Sequence, residues 1–191
     1  MRDKTSIREI LDFWFLPLAN HGHGKEREIW FRSTPAFDAE IVEQFAGALG
    51  RAVRGECDSW VQSPDGALAL IVLCDQFPRH IHRRTALAYR GDGKALWAAR
   101  RALARFYPAL FPPAMRVFFY MPFQHSESLA DQELGCALFE VMENDENMKY
   151  AIEHRDIVAR FGRFPHRNDV LGRASSEAEL KFLKSANRFG Q

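Results

Sequence analysis

The stretch Ala67–Cys74, ALALIVLC, is apolar on every side for eight consecutive residues, and nothing else in the chain constrains the fold as strongly. Periodicity alone cannot decide between a buried strand and a buried helix for such a run. Alanine and leucine dominate it and no partner strand occurs elsewhere, so the run reads as a helix. Apolar all round, that helix belongs at the centre of a domain. It is far too short to cross a bilayer, which takes about 20 residues.

The rest of the chain repeats helical spacing. Ser6, with Glu9 at the reciprocal capping position, opens a face of Ile7, Ile10, Leu11, Trp14 and Phe15. Thr34 and Pro35 form a cap followed by proline at the first helical position, ahead of Ile41, Phe45, Ala48, Leu49 and Ala52. From Asp92, Leu96, Ala99 and Leu103 mark another helix, and Pro113 begins a strongly aromatic one, MRVFFYMPF. Ser128 and Asp131 read as a capping box before Leu134, Leu138, Val141 and Met142. Tyr150, His154, Ile157, Val158 and Phe161 form the next stripe; Ser176 with Glu179 caps a last helix bearing Leu180, Leu183 and Ala186. The sum is about eight helices with short connections, no hairpin signal and no linker, hence an all-α chain with one domain over 1–191.

With 191 residues and 47% hydrophobic content, sixteen of them phenylalanine, the chain has ample core material. Lys+Arg is 26 and Asp+Glu 25, a net charge of +1, which argues against broad nucleic-acid binding. Cys57, Cys74 and Cys136 form an odd set without a CxxC pair, which suits a reducing compartment. The opening MRDKTSIREI carries no signal-peptide hydrophobic stretch. A soluble cytoplasmic protein is expected, with no membrane partner.

Polar chemistry gathers in three clusters at helix ends, where loops carry function over a rigid scaffold. Asp75, Gln76, Arg79 and His80 follow the central helix. His125 and Glu127 flank Ser126 just before the helix capped by Ser128. The third cluster is FGRFPHRNDVLGR, residues 161–173, where Arg163, His166, Arg167 and Asn168 surround Pro165 on a turn. Guanidinium groups present planar donors that fit carboxylate or phosphate, so an anion site is one reading; the other is a helix-ending loop whose arginines pair with neighbouring acids. A position beside a helix N-terminus favours a neutral, basic His125, and Glu127 as its partner would stabilise the charged form. His125 and Glu127 are therefore either a catalytic pair or groups that fix the turn. Ser126 lacks a G-x-S-x-G setting, and the HRD at 154–156 has no glycine-rich phosphate loop beside it. No H-E-x-x-H pair or cysteine ligand set supports a metal, and no cofactor is expected.

ILDFWF at 10–15, LIVLCDQFPRHIHR at 70–83, FFYMPFQHSE at 118–127 and RFGRFPHRNDVLGR at 160–173 resemble the bacterial domain of unknown function 924 family. The resemblance implies a tetratricopeptide-like array of antiparallel helix pairs and carries no established activity with it. The chain itself shows no repeat of 34 residues, so that likeness is one of shape. The functional expectation is a helical protein that binds an anionic small molecule or peptide carboxylate. Asp75, Gln76, Arg79, His125, Glu127, Arg163, His166, Arg167 and Asn168 would line its pocket. Two alternatives stand beside it. One is a hydrolase of a phosphate or carboxylate ester, with His125 as base and Glu127 orienting it. The other is a protein-interaction scaffold.

Overall fold

The computed structural model describes residues 5–142 and 144–184. Among them are helices and connecting turns and no strand. The first helix, α1 (Ile7–Phe15), starts at the expected capping box: Ser6 Oγ accepts from the Glu9 amide at 3.2 Å, and Glu9 accepts from the Ser6 amide at 2.7 Å. Such reciprocal caps satisfy donors that the first turn leaves orphaned. In α2 (Pro35–Val53) Thr34 caps the start, and Ile41, Phe45, Ala48, Leu49 and Ala52 turn inward at helical spacing.

The apolar run is helical, as expected, and sits at the centre. Helix α3 (Pro64–Ile71) continues through a π turn (Val72–Gln76) into α4 (Phe77–Ile81), so the three form one rod. Every residue from Ala67 to Cys74 is inaccessible to solvent. Burying each leucine, isoleucine or valine there stabilises the fold by roughly 1.5–3 kcal/mol. The π turn has a local cause. Pro78 has no amide hydrogen for the Cys74 carbonyl, and its ring would collide with that carbonyl in a regular helix. The Cys74 oxygen faces Gly91 instead: a Cβ built on Gly91 would lie 2.0 Å from it. Only a bare Cα fits.

The remaining helices wrap the rod. Helix α5 (Asp92–Leu103) offers Ala95, Ala98, Ala99 and Ala102, small enough for close approach to α3. Helix α6 (Pro113–Gln124) buries Phe118, Phe119 and Phe123, carries Pro122 inside its last turn and ends at His125. Helices α7 (Leu129–Glu140) and α8 (Asp145–Phe161) pack in succession on α6. Counting the bent rod once, the described residues form eight helices around one core, with α9 (Glu177–Leu183) the last. No described helix is long and apolar enough to cross a membrane. Cys57, Cys74 and Cys136 are buried free thiols.

One expected cap differs. Ser128 makes no side-chain cap on α7; Asp131 instead accepts from Ser126 Oγ at 2.8 Å and pairs with Arg100 across from α5. The cation offers a stronger partner than a reciprocal serine does. Ala186 lies outside the described residues.

Candidate functional site

At the exit of the central rod the fold encloses a cavity of about 520 Å³. Residues from all three polar clusters line it: Gln76 and Arg79 from the rod, His125 from the end of α6, and His166 with Arg167. The last two lie on a 3-10 turn, Pro165–Arg167, which comes after the left-handed Gly162 that ends α8. The facing wall is apolar, built from Trp30 and Phe31 together with Val117, Phe118 and Met121 of α6. Trp30 is fixed by its indole N–H, which donates to the Trp14 carbonyl at 2.8 Å, and by Arg27, which bonds the Phe13 and Trp14 carbonyls.

Asp75 is wholly buried behind the polar end. Its carboxylate meets His125 Nδ1 at 2.7 Å and accepts from Gln76 Nε2 at 2.6 Å, with Arg79 at 3.5 Å. The Arg79 guanidinium also donates to both oxygens of Asp92, at 2.8 and 3.2 Å. Asp92 in turn accepts from Arg167 Nη1 at 3.3 Å. Tyr89 sits against both cations: its ring centroid is 4.4 Å from the Arg167 guanidinium carbon and 5.8 Å from that of Arg79. The order His125–Asp75–Arg79–Asp92–Arg167 is thus an alternating chain across the floor.

Burial opposes charge on Asp75, but His125, Arg79 and the Gln76 amide outweigh it and hold the carboxyl below its ordinary range. An ionised carboxylate only accepts, so the Nδ1 of His125 carries the proton that points at it. Burial, then Arg79, lowers the His125 pKa against the pull of Asp75. The ring is neutral near pH 7, and its Nε2 is a bare lone pair on the cavity side. Burial pushes His154 down to about 3, helped by His125, and pushes His166 down to about 4, helped by Arg167. Arg79 is fully engaged. Arg167 is not: it is 6% exposed, and its Nε has no hydrogen-bond partner among the described residues.

The remaining candidates hold the turn rather than the cavity. Glu127 accepts from the Phe164 amide at 2.7 Å and from Arg173 at 2.6 and 2.9 Å. It is not the group that orients His125; Asp75 is. Arg163 grips Glu179 of α9 at 2.7 and 2.8 Å and the Ala174 carbonyl at 2.9 Å. Asn168 donates to Ser175 at 3.0 Å and to Glu179 at 3.3 Å. His125 caps the C-terminus of α6 and is not at the start of α7, so its neutrality comes from burial and Arg79 rather than from a helix N-terminus.

Sequence reasoning passed over several residues of this region. Asp92 read only as a helix start, yet it joins two arginines far apart in the chain. Tyr89 and Trp30 gave no signal beyond their aromaticity. His154 is the hydrogen-bonded core histidine that its apolar stripe implies, with Nδ1 2.7 Å from the Tyr150 carbonyl; it also lines the cavity, its ring 6.3 Å from that of His125. His80 lines it too, with Nδ1 2.8 Å from Asp38 of α2.

A family model described as bacterial protein of unknown function (DUF924) matches residues 10–187. The chain belongs to that family. The solved structure of a protein of unknown function from Agrobacterium tumefaciens is 37% identical to this DUF924 chain, with a TM-score of 0.84 over 94% of this chain and 97% of that one. No curated protein matches it.

Proposed function

We propose that this protein binds a small amphipathic anion, a carboxylate or phosphate on an apolar body, in the cavity at the end of the central rod. One observation carries the reading: Arg167 is a buried cation on the cavity wall, tied to Asp92 at 3.3 Å, with an Nε–H that no described residue accepts. A charged donor desolvated without an acceptor costs stability, and an anion in the cavity removes that cost. The aromatic wall of Trp30, Phe31 and Phe118 suits the apolar part of the same molecule. Among the other polar lining residues, Gln76, His125 and His166 give such a head group hydrogen-bonding neighbours. A peptide carboxylate is the larger version of the same ligand. We read the protein as cytoplasmic, its three buried thiols being reduced.

Thermal unfolding with octanoate, suberate, phenyl phosphate, inorganic phosphate and a C-terminal tetrapeptide acid tests the reading. A ligand present at a hundredfold of its Kd adds about 2.7 kcal/mol, a rise of roughly 5–10 °C in Tm for a chain this size. Octanoate, suberate or phenyl phosphate is expected to give a saturable rise that inorganic phosphate does not, and Arg167→Gln abolishes it. A flat response to the whole panel, or an equal response in Arg167→Gln, overturns the assignment.

A further inference from the structure

We propose that the cavity is a hydrolytic site for a carboxylic ester that carries a second anionic group, with His125 as general base and Asp75 as the residue that positions it. The proposal rests on the anion-binding reading above and adds a reaction to it. Its basis is geometric. Asp75 holds His125 Nδ1 at 2.7 Å and is itself fixed by Gln76 at 2.6 Å, so the ring cannot turn away. That contact sets the tautomer and leaves Nε2, on the cavity side, able to take a proton. Among the described residues no serine, threonine or cysteine lines the cavity, so the base acts on water rather than on a protein nucleophile. Gln124, next in sequence, is buried and lines the cavity as well. Its side-chain amide is the donor for the ester carbonyl, while Arg167 holds the distant anion.

The step balances without any co-reactant. His125 Nε2 takes a proton from water as the water oxygen bonds to the carbonyl carbon, and the electron pair moves to the carbonyl oxygen against Gln124. When the tetrahedral species collapses the C–O ester bond breaks, and the imidazolium returns the proton to the leaving alkoxide. The products are an acid and an alcohol. Imidazolium formed in this step is stabilised by Asp75.

Mono(4-nitrophenyl) suberate is the probe, with 4-nitrophenyl octanoate as the neutral comparison and suberate as the inert analogue. Saturable hydrolysis of the suberate ester is expected, inhibited competitively by suberate. General-base catalysis contributes roughly 10²–10⁴-fold. His125→Gln should therefore lower kcat about a hundredfold or more, and imidazole should restore turnover in His125→Ala. Asp75→Asn should lower kcat and not KM. Arg167→Gln should raise KM for the suberate ester and leave the octanoate ester unaffected. Asp75, Arg79, Asp92 and His154 face His125, so kcat/KM should fall on the acid side below 6.5, as the base is protonated. Nitrogen-15 spectra of the wild-type protein at pH 7 need no variant to fold: they should show His125 with Nδ1 protonated and Nε2 bare. The opposite tautomer overturns the proposal. So does suberate binding without ester hydrolysis, or His125→Gln turning over like wild type; both leave the binding reading intact. Absence of both binding and hydrolysis removes the two together.

Discussion

Asp92 shows how much a single side chain carries here. It lies between Arg79 and Arg167, two cations that approach from residues far apart in sequence. Replacing one member of a buried charge set leaves the others uncompensated, at about 3–5 kcal/mol. Asp92→Asn should therefore shift urea unfolding by about 3 kcal/mol, the low end because the side chain is 19% exposed. Restoration of stability in the double variant Asp92→Asn/Arg167→Met would show that the loss is electrostatic. Glu127 makes a contrasting case. Its pKa is lowered although burial opposes this, because Arg173 and the Phe164 amide hold the charged form. Glu127→Gln should loosen the turn at 161–173, seen as faster amide exchange at Phe164, while His125 keeps its tautomer. The sequence alone pointed to Glu127 as the group that orients His125. Proximity in the chain favoured the wrong carboxylate, since a residue two positions away in a turn can point elsewhere while one 50 positions away is in contact.

At the scale of elements, the bend in the central rod does the positioning. Asp75 and Gln76 lie in the π turn, and Arg79 lies just past it. A π turn holds one residue more than an α turn, so it rotates the downstream helix relative to the upstream one. Gly91 maintains the bend from outside. Gly91→Ala would drive a methyl into the Cys74 carbonyl, and a loss of roughly 2–4 kcal/mol in chemical denaturation is expected, as for other overpacked cores. Helix positions, caps at Ser6, Thr34 and Ser176, and the central place of Ala67–Cys74 were all legible, because each depends on local spacing and local hydrogen bonds. Pro78 signalled a break without specifying its kind. A π turn and an ordinary kink are both compatible with a proline, and the choice was made by Gly91, which sits in another element.

For the whole molecule, the buried imidazoles set the response to acid. His154 and His166 titrate at about 3 and about 4 when folded, against 6.5 ordinarily. Between 6.5 and those values the unfolded chain binds more protons than the folded one, so stability falls as pH falls. Each such histidine contributes a slope of about 1.4 kcal/mol per pH unit. Asp38, held at about 2 by Arg83, Ser33 and His80 although burial opposes it, adds its own loss below about 3.8. Urea midpoints should therefore drop steadily from pH 7 to pH 4; a flat profile would mean that these rings are hydrated in solution. That three polar clusters meet was legible only as a possibility, since convergence depends on how distant helices stack and no local pattern encodes it. The walls of the cavity come from residues as early as Glu26 and as late as Arg167. A nascent chain that has delivered everything up to His125 still lacks Arg167, the cation on the last part of the wall. If the cavity takes an acid as proposed, capture must wait until Arg167 is delivered, and a fragment ending before residue 165 should be blind to every ligand of the intact protein.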